Sequence, residues 1–286
     1  MTGGAELEFR LPDLRFVPVE RLLPHERQDE RRMNPLKKRM REQELLKNPP
    51  VVTPLPDDGA EPRYVVLDGA NRVGAAHAAG FPHIVVQVVP YEPPAVELRT
   101  WYHALGDADR EHFEVGARRV PGLACHVEPA IHAGARLARR EVLATVAFAD
   151  GAVITFAGGR DLKERNNLLN EIVDVYRDRR AFYRMSTDSI ETARARYPEV
   201  TALVVFPHFE PAEVVELATS GDRMPAGITR HLIRWRALRI NVPLDRLADR
   251  SLGIEEKNRW LREWTQTKLA QRHVRFYEEP TVLFDE

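Results

Sequence analysis

Apolar positions along the chain follow two rhythms, and the first ninety residues show the shorter one. Phe16-Val17-Pro18-Val19, Val51-Val52-Thr53, Arg63 to Leu67 and Ile84 to Val89 are short runs rich in β-branched residues, which predicts four strands. Between the last two, an alanine-rich stretch from Asn71 to Ala79 ends at Gly80 and predicts a short helix. Strand, helix and strand so close together predict a compact α/β unit. Asn34-Pro35 has the chemistry of a helix start, and that helix is expected to run through Leu36, Met40 and Leu45 until Asn48-Pro49-Pro50 stops it. Pro56-Asp57-Asp58-Gly59 predicts a turn, and residues 1–13 read as a loose tail.

Pro90, Pro93 and Pro94 interrupt this pattern, so a boundary is expected there, with one domain over 1–93 and an α+β domain over 94–286. In the second part Val142 to Phe148 and Ala152 to Phe156 flank Asp150-Gly151, the signature of a hairpin. Asp161 to Tyr183 carries Leu162, Leu168, Leu169, Ile172, Val175 and Tyr176 at helical spacing and predicts a long amphipathic helix. Thr201 to Phe206 reads as a buried strand, Pro211 to Leu217 as a short helix and Ile228 to Val242 as two strands. Ile254 to Ala270 reads as a helix, and Val274 to Phe284 as a closing strand. The expected fold class is α+β.

Composition narrows the function classes. Forty-two Lys and Arg balance 43 Asp and Glu for a net charge of −1, which argues against a dedicated nucleic-acid or membrane-surface binder. The single cysteine, Cys125, excludes an intrachain disulfide and suits a reducing compartment. Cys125-His126 with His132 matches no structural zinc spacing, so no metal site is expected from protein ligands alone. No apolar run approaches the ~20 residues of a membrane span, and Met1 to Arg10 lacks the apolar core of a signal peptide. A cytoplasmic protein is expected.

The segment richest in chemistry is Tyr64 to Arg72. A buried strand enters a tight turn at Asp68-Gly69, and the following helix turns its first N–H groups towards the turn. Such a helix start binds phosphate well, and Arg72 adds a guanidinium in the first turn. Asp68 beside an anion makes sense if it serves a metal ion or a reacting hydroxyl.

Val66-Leu67-Asp68-Gly69-Ala70-Asn71-Arg72, with Ala75-Ala76 and Gly80-Phe81-Pro82 after it, resembles the ParB/sulfiredoxin-type core, which binds nucleotide phosphates at this turn. Three further segments are similar to the free L-serine kinases within that family. They are Leu22-Leu23-Pro24-His25-Glu26, Thr100-Trp101-Tyr102-His103 and Met224-Pro225-Ala226-Gly227-Ile228-Thr229-Arg230-His231. Ile240-Asn241-Val242-Pro243-Leu244 and the helix bearing Trp260 also resemble the branch that includes a serine kinase-like regulator of staphyloferrin B synthesis. Asn71 departs from the pattern, which most often has histidine there. Asparagine donates a hydrogen bond but carries no charge.

The resemblance implies a ParB/sulfiredoxin-like nucleotide-binding domain and a kinase that makes O-phospho-L-serine from serine and ATP or ADP with Mg²⁺. It implies Glu26 as general base and Asp68 as its catalytic companion, orienting either the metal or the serine hydroxyl. Gly69, Ala70, Asn71 and Arg72 would hold phosphate, and Trp101, Thr229, Arg230 and His231 would hold serine. The alternative is a ParB-like, nucleotide-dependent DNA-binding transcriptional regulator, which needs a recognition helix that the sequence does not display. Sulfiredoxin-type repair needs a cysteine in the phosphate turn, and none is present.

Overall fold

Branched side chains dominate the first sheet and fix its strands. The computed structural model describes residues 11–28, 38, 42, 44–56, 61–177 and 182–277. Its first elements are β1 (Asp13–Pro18), β2 (Leu22–Pro24), β3 (Leu45–Leu46), β4 (Val51–Pro54), β5 (Tyr64–Asp68), α1 (Ala70–Ala78) and β6 (His83–Val88). Five of these strands form one sheet in the order β1-β6-β4-β5-β2. β4 lies parallel to β6, β2 lies parallel to β5, and the other two pairings are antiparallel. β5 therefore has a neighbour on each side, and its Val65 and Val66 are fully buried. In its parallel register Pro24 faces Val66, so the chain leaving β2 delivers His25 and Glu26 beside the end of β5, where Asp68 stands.

The second part contains β7 (Val96–Thr100), β8 (Tyr102–Gly106), α2 (Arg110–Arg118), β9 (Ala124–Val127), α3 (Ala130–Ala138), β10 (Ala144–Phe148) and β11 (Val153–Ala157). It continues with α4 (Leu162–Asp174), β12 (Phe182–Met185), α5 (Ile190–Arg196), β13 (Val200–Val205) and α6 (Pro211–Ser220). Six strands make an antiparallel sheet in the order β12-β8-β13-β10-β11-β9. Phe113 of α2, Ile172 of α4 and Leu217 of α6 share a core with Val146, Ile154, Phe156 and Val204 of the sheet. On its other side Ile190 and Ala193 of α5 pack with Ala104, Leu203 and Val205. The architecture is α+β, as the sequence predicts.

The chain then returns. β14 (Thr229–Ile233) pairs with β7, and β15 (Val242–Pro243) pairs with β3, followed by α7 (Leu244–Ala248) and α8 (Ile254–Ala270). Val242, Leu247 and Leu261 join the core of the first sheet with Phe16, Val52, Val66 and Ile84. β1 is an edge strand whose free side carries unpaired backbone groups. Asn258 of α8 covers them at one residue, accepting from the Phe16 amide at 2.8 Å and donating to the Phe16 carbonyl at 3.1 Å. Buried Gln87 holds the returning strap at a second point, bonding the Trp235 carbonyl and the Ala237 amide.

Several elements differ from expectation. The helix expected from Asp161 to Tyr183 stops at Asp174, capped at its start by the Asp161 carboxylate, and Phe182–Met185 is instead the edge strand β12. Tyr176 and Phe182 have apolar character that suits either element, and the sheet captures the second of them. Leu45 stands in β3 and not at a helix end; most of the helix expected after Asn34-Pro35 and the turn at Asp57 to Gly59 lie outside the described residues. Ile228 to Val242 holds one full strand and then an irregular strap with positive φ at Trp235, Arg239 and Asn241. Val274 to Tyr277 form no strand, and the rest of that expected element lies outside the described residues.

Candidate active site

The Asp-Gly turn is shaped by close packing. Gly69 has φ +94°, a left-handed conformation that disfavours side chains, and a Cβ there would meet the Pro50 Cα at 3.0 Å. It caps α1, whose first turn has no acidic residue and no side-chain cap. The positive end of that helix dipole therefore faces the mouth of the turn. Arg72 Nη1 donates to the Asn48 and Pro49 carbonyls at 2.8 and 3.1 Å, and its Nη2 donates to Asp68 Oδ2 at 2.7 Å. Arg236 from the returning strap reaches the same oxygen. Burial pushes the Asp68 carboxyl up, but the charges of Arg72 and Arg236 outweigh it and hold the group below its ordinary range.

Glu26 is bound at three points by the late segment. Its Oε2 accepts the Gly227 amide at 2.7 Å, and its Oε1 accepts the Thr229 amide at 2.9 Å and the Thr229 hydroxyl at 2.5 Å. A short parallel bridge aligns the two strands: Met224 N donates to the His25 carbonyl and Arg27 N to the Met224 carbonyl, both at 2.8 Å. Asn166 and Asn170 of α4 both donate to the Arg223 carbonyl, one residue before that bridge.

Two histidines anchor this assembly to β5. His25 Nδ1 lies 2.5 Å from the Val66 carbonyl and its Nε2 lies 2.8 Å from Thr229 Oγ1. His231 meets His25 edge to face at 5.3 Å and bonds the Tyr91 hydroxyl at 2.7 Å. Burial pushes the His231 imidazole well below its ordinary value, with nearby His25 acting in the same direction. Behind them, fully buried His103 bonds the Tyr176 hydroxyl at 2.8 Å and the Gly227 carbonyl at 3.1 Å.

Strand alternation separates the remaining pair. In the β7–β14 ribbon Thr229 and His231 share one face, and Arg230 points to the other. There its guanidinium covers the Trp101 indole at 4.3 Å from the ring centroid, a cation–π contact. The structure thus groups Glu26, Thr229 and His231 with the end of β5, groups Asp68, Gly69 and Arg72 in the turn with Ala70 and Asn71 on the first turn of α1, and pairs Trp101 with Arg230 on the reverse of the ribbon. His25, Tyr91, Gly227 and Arg236 are part of the site without having been singled out from sequence. His25 adjoins Glu26 in the quoted motif, whereas nothing around Tyr91 or Arg236 in the sequence marks them.

No family model matches the chain. A protein named ATP-dependent L-serine kinase from Staphylothermus marinus is 33% identical over 90 residues, which cover 32% of this chain and 34% of that protein. The match therefore spans about a third of that relative's length. ATP-dependent L-serine kinase SbnI from Staphylococcus aureus is 22% identical over 96% of this chain and 97% of its own length. The structure of SbnI with a C-terminal truncation superposes with a TM-score of 0.66, at 22% identity, over 91% of this chain and 97% of that one. A free serine kinase in complex with AMP gives a TM-score of 0.69 at 18% identity over 86% of this chain and 98% of the other. The fold is that of the free serine kinases. By sequence the chain is a homologue of proteins named ATP-dependent L-serine kinase, SbnI among them.

Proposed function

We propose that this chain is a phosphotransferase that moves the terminal phosphoryl group of ATP onto the hydroxyl of free L-serine, giving O-phospho-L-serine. The observation that carries this reading is the Glu26 carboxylate held by the amides of Gly227 and Thr229 beside the end of β5, where the phosphate turn begins. A serine hydroxyl is a weak nucleophile at neutral pH, and a fixed carboxylate that takes its proton as the O–P bond forms supplies general-base catalysis. Alignment and charge neutralisation supply most of the remainder in phosphoryl transfer. The backbone of Gly69, Ala70 and Asn71 at the start of α1 binds the phosphates. Arg72 acts chiefly by shaping that turn, because its guanidinium bonds Asn48, Pro49 and Asp68.

Magnesium fits the donor set modestly. Among the described residues no group of three or more His, Cys, Asp and Glu side chains is arranged to hold a metal. Mg²⁺ in kinases needs only one or two carboxylates beside the substrate phosphates. Asp68 is the one carboxylate placed at the turn, with Arg72 and Arg236 bonded to its Oδ2. Bound there, the ion would neutralise charge on the transferring phosphoryl group. Arg230, stacked on Trp101 on the opposite face of the β7–β14 ribbon from Thr229 and His231, would meet the serine carboxylate only past the end of the ribbon at Thr229, and His231 lines the side facing Asp68. In this reading residues 1–93, completed by the returning segment from Val242 onward, carry the nucleotide, and the rest of 94–286 carries serine.

The test is direct. Purified protein is incubated with L-serine, Mg²⁺ and either ATP or ADP, and O-phosphoserine is sought by mass spectrometry. ATP is the expected donor. Product with ADP alone would reassign the donor, and no product with either, alongside sequence-specific DNA binding, would favour the regulator. No described helix is long and apolar enough to cross a membrane.

A further inference from the structure

The contacts around Glu26 require one more hydrogen than their groups own in ordinary form. Three contacts run in a line: Val66 carbonyl to His25 Nδ1 at 2.5 Å, His25 Nε2 to Thr229 Oγ1 at 2.8 Å, and Thr229 Oγ1 to Glu26 Oε1 at 2.5 Å. Each is a hydrogen-bond distance and holds one hydrogen. A carbonyl has none to give, so Nδ1 carries the first. A neutral imidazole has no second N–H, and the threonine hydroxyl has one hydrogen for two contacts. The third contact therefore takes a proton that neither a neutral His25 nor an ionised Glu26 brings. It sits on His25 Nε2 with Thr229 donating to Glu26, or on Glu26 with Thr229 donating to His25. Reversal of the hydroxyl interconverts the two.

His231 provides the contrast. Its Nε2 meets the Tyr91 hydroxyl at 2.7 Å. A neutral imidazole and a hydroxyl bring hydrogens enough for that contact, and no extra proton is needed. The groups around His25 are few. Glu26 Oε1 lies 3.9 Å from its Nε2, and β14 brings the His231 ring. β5 brings Asp68, already paired with Arg72 and Arg236, and α6 brings the apolar Val215 and Ala218 against the adjoining strands.

We propose that Glu26, Thr229 and His25 act as a single proton acceptor, with His25 as its terminal store. This rests on the reading of Glu26 as the base of a serine kinase. In the base-competent state the extra proton is absent. The serine O–H bond breaks and its proton passes to Glu26. Glu26 hands a proton to Thr229 Oγ1 as Thr229 gives its own to His25 Nε2. The electron pair left on the serine oxygen forms the new O–P bond, and the bond from that phosphorus to the nucleotide's bridging oxygen breaks. Glu26 and Thr229 end as they began, and the net transfer is one proton from serine to His25. Proton storage on His25 keeps the proton away from the serine oxygen that has just formed the phosphate ester. Thr229 and His25 are positioning and relay groups, and of these three residues only Glu26 meets the reacting hydroxyl.

The experiment compares Thr229→Val, Thr229→Ser and Glu26→Gln in steady-state kinetics, with ¹⁵N NMR of the histidine rings in the unmodified protein. Valine keeps the shape and the amide that bonds Glu26 but removes the hydroxyl. The expected result is a kcat lower on the order of 10- to 100-fold for Thr229→Val with an unchanged KM for serine, and recovery in Thr229→Ser. The nitrogen signals of His25 should show one protonated ring nitrogen in the form of the enzyme that accepts the serine proton and two in the form that holds it. Wild-type kcat in Thr229→Val beside an inactive Glu26→Gln overturns the relay and leaves the base in place. An active Glu26→Gln overturns the base and the relay together, while absence of O-phosphoserine from the unmodified protein overturns the function itself. If Thr229→Val does not fold, the NMR spectra decide, and a single neutral tautomer of His25 in both forms overturns the proposal.

Discussion

The Gly227 amide donates to Glu26 Oε2 at 2.7 Å across 201 residues of sequence. That contact depends on a backbone few residues can adopt: Gly227 has φ +81°, and a Cβ there would land on the Arg184 guanidinium. Its carbonyl is fixed from behind by His103. Gly227→Ala is expected to cost about 1–3 kcal/mol of stability through local strain and to lower kcat at least ~10-fold by displacing Glu26. Denaturant melts and kinetics on one preparation check both. Wild-type kcat in a destabilised Gly227→Ala protein would detach the clamp from catalysis.

Arg230 and Trp101 stack on the face of the β7–β14 ribbon opposite Thr229 and His231. If that face binds the serine carboxylate, Arg230→Ala raises the KM for serine about tenfold or more, since a hydrogen bond to a charged group is worth ~1.5–3 kcal/mol. The KM for ATP should hold. An unchanged serine KM places the carboxylate elsewhere.

Acid pH should destabilise the fold through its buried histidines. Burial holds the His103 imidazole down to about 3 in the folded protein, against about 6.5 in an unfolded chain. The unfolded state therefore binds the extra proton as pH falls below about 6.5, and the folded state does not until about 3. Stability from this group is complete above the upper value and lost through that window, by up to ~1.4 kcal/mol per pH unit. His231 is depressed in the same sense. Urea melts across the window should show that slope, and His103→Gln should reduce it by one proton. An unaltered slope would show that His103 is protonated in the native state.

Leu261 of α8 is buried in the core of the first sheet with Phe16 and Val242. Leu261→Ala should cost about 2–5 kcal/mol, and hydrogen exchange should rise in β1 and α1 although the substitution lies near the other end of the chain. Protection lost only within α8 would mean that the returning segment is not integral to the first sheet.

Local chemistry made much of this fold legible. The four β-branched runs became β1, β4, β5 and β6 within a few residues, because alternating buried faces need those side chains at that spacing. The Asp150-Gly151 hairpin formed as its turn requires, β10 against β11. The edge strand β12 was not legible, because its aromatic residues continue the apolar face of α4 and only the vacant edge beside β8 selects a strand. Asp68, Gly69 and Arg72 were marked by their turn. Arg236 was not, since an arginine in an irregular strap carries no signal until the strap crosses Asp68.

The sequence by itself determined which residue types were present for chemistry: a carboxylate after a proline-histidine pair, a glycine turn before a helix, and a Gly-x-Thr-Arg-His segment far downstream. Folding decided which of these meet. The parallel register of β2 against β5 carries Glu26 to the turn, the bridge at Met224 brings Thr229 to Glu26, and alternation along β14 sends Arg230 the other way. Hydrogen bonds reach about 3 Å and strands alternate every residue. Contacts between distant segments therefore depend on register, which one segment's sequence cannot fix without the surface it packs against.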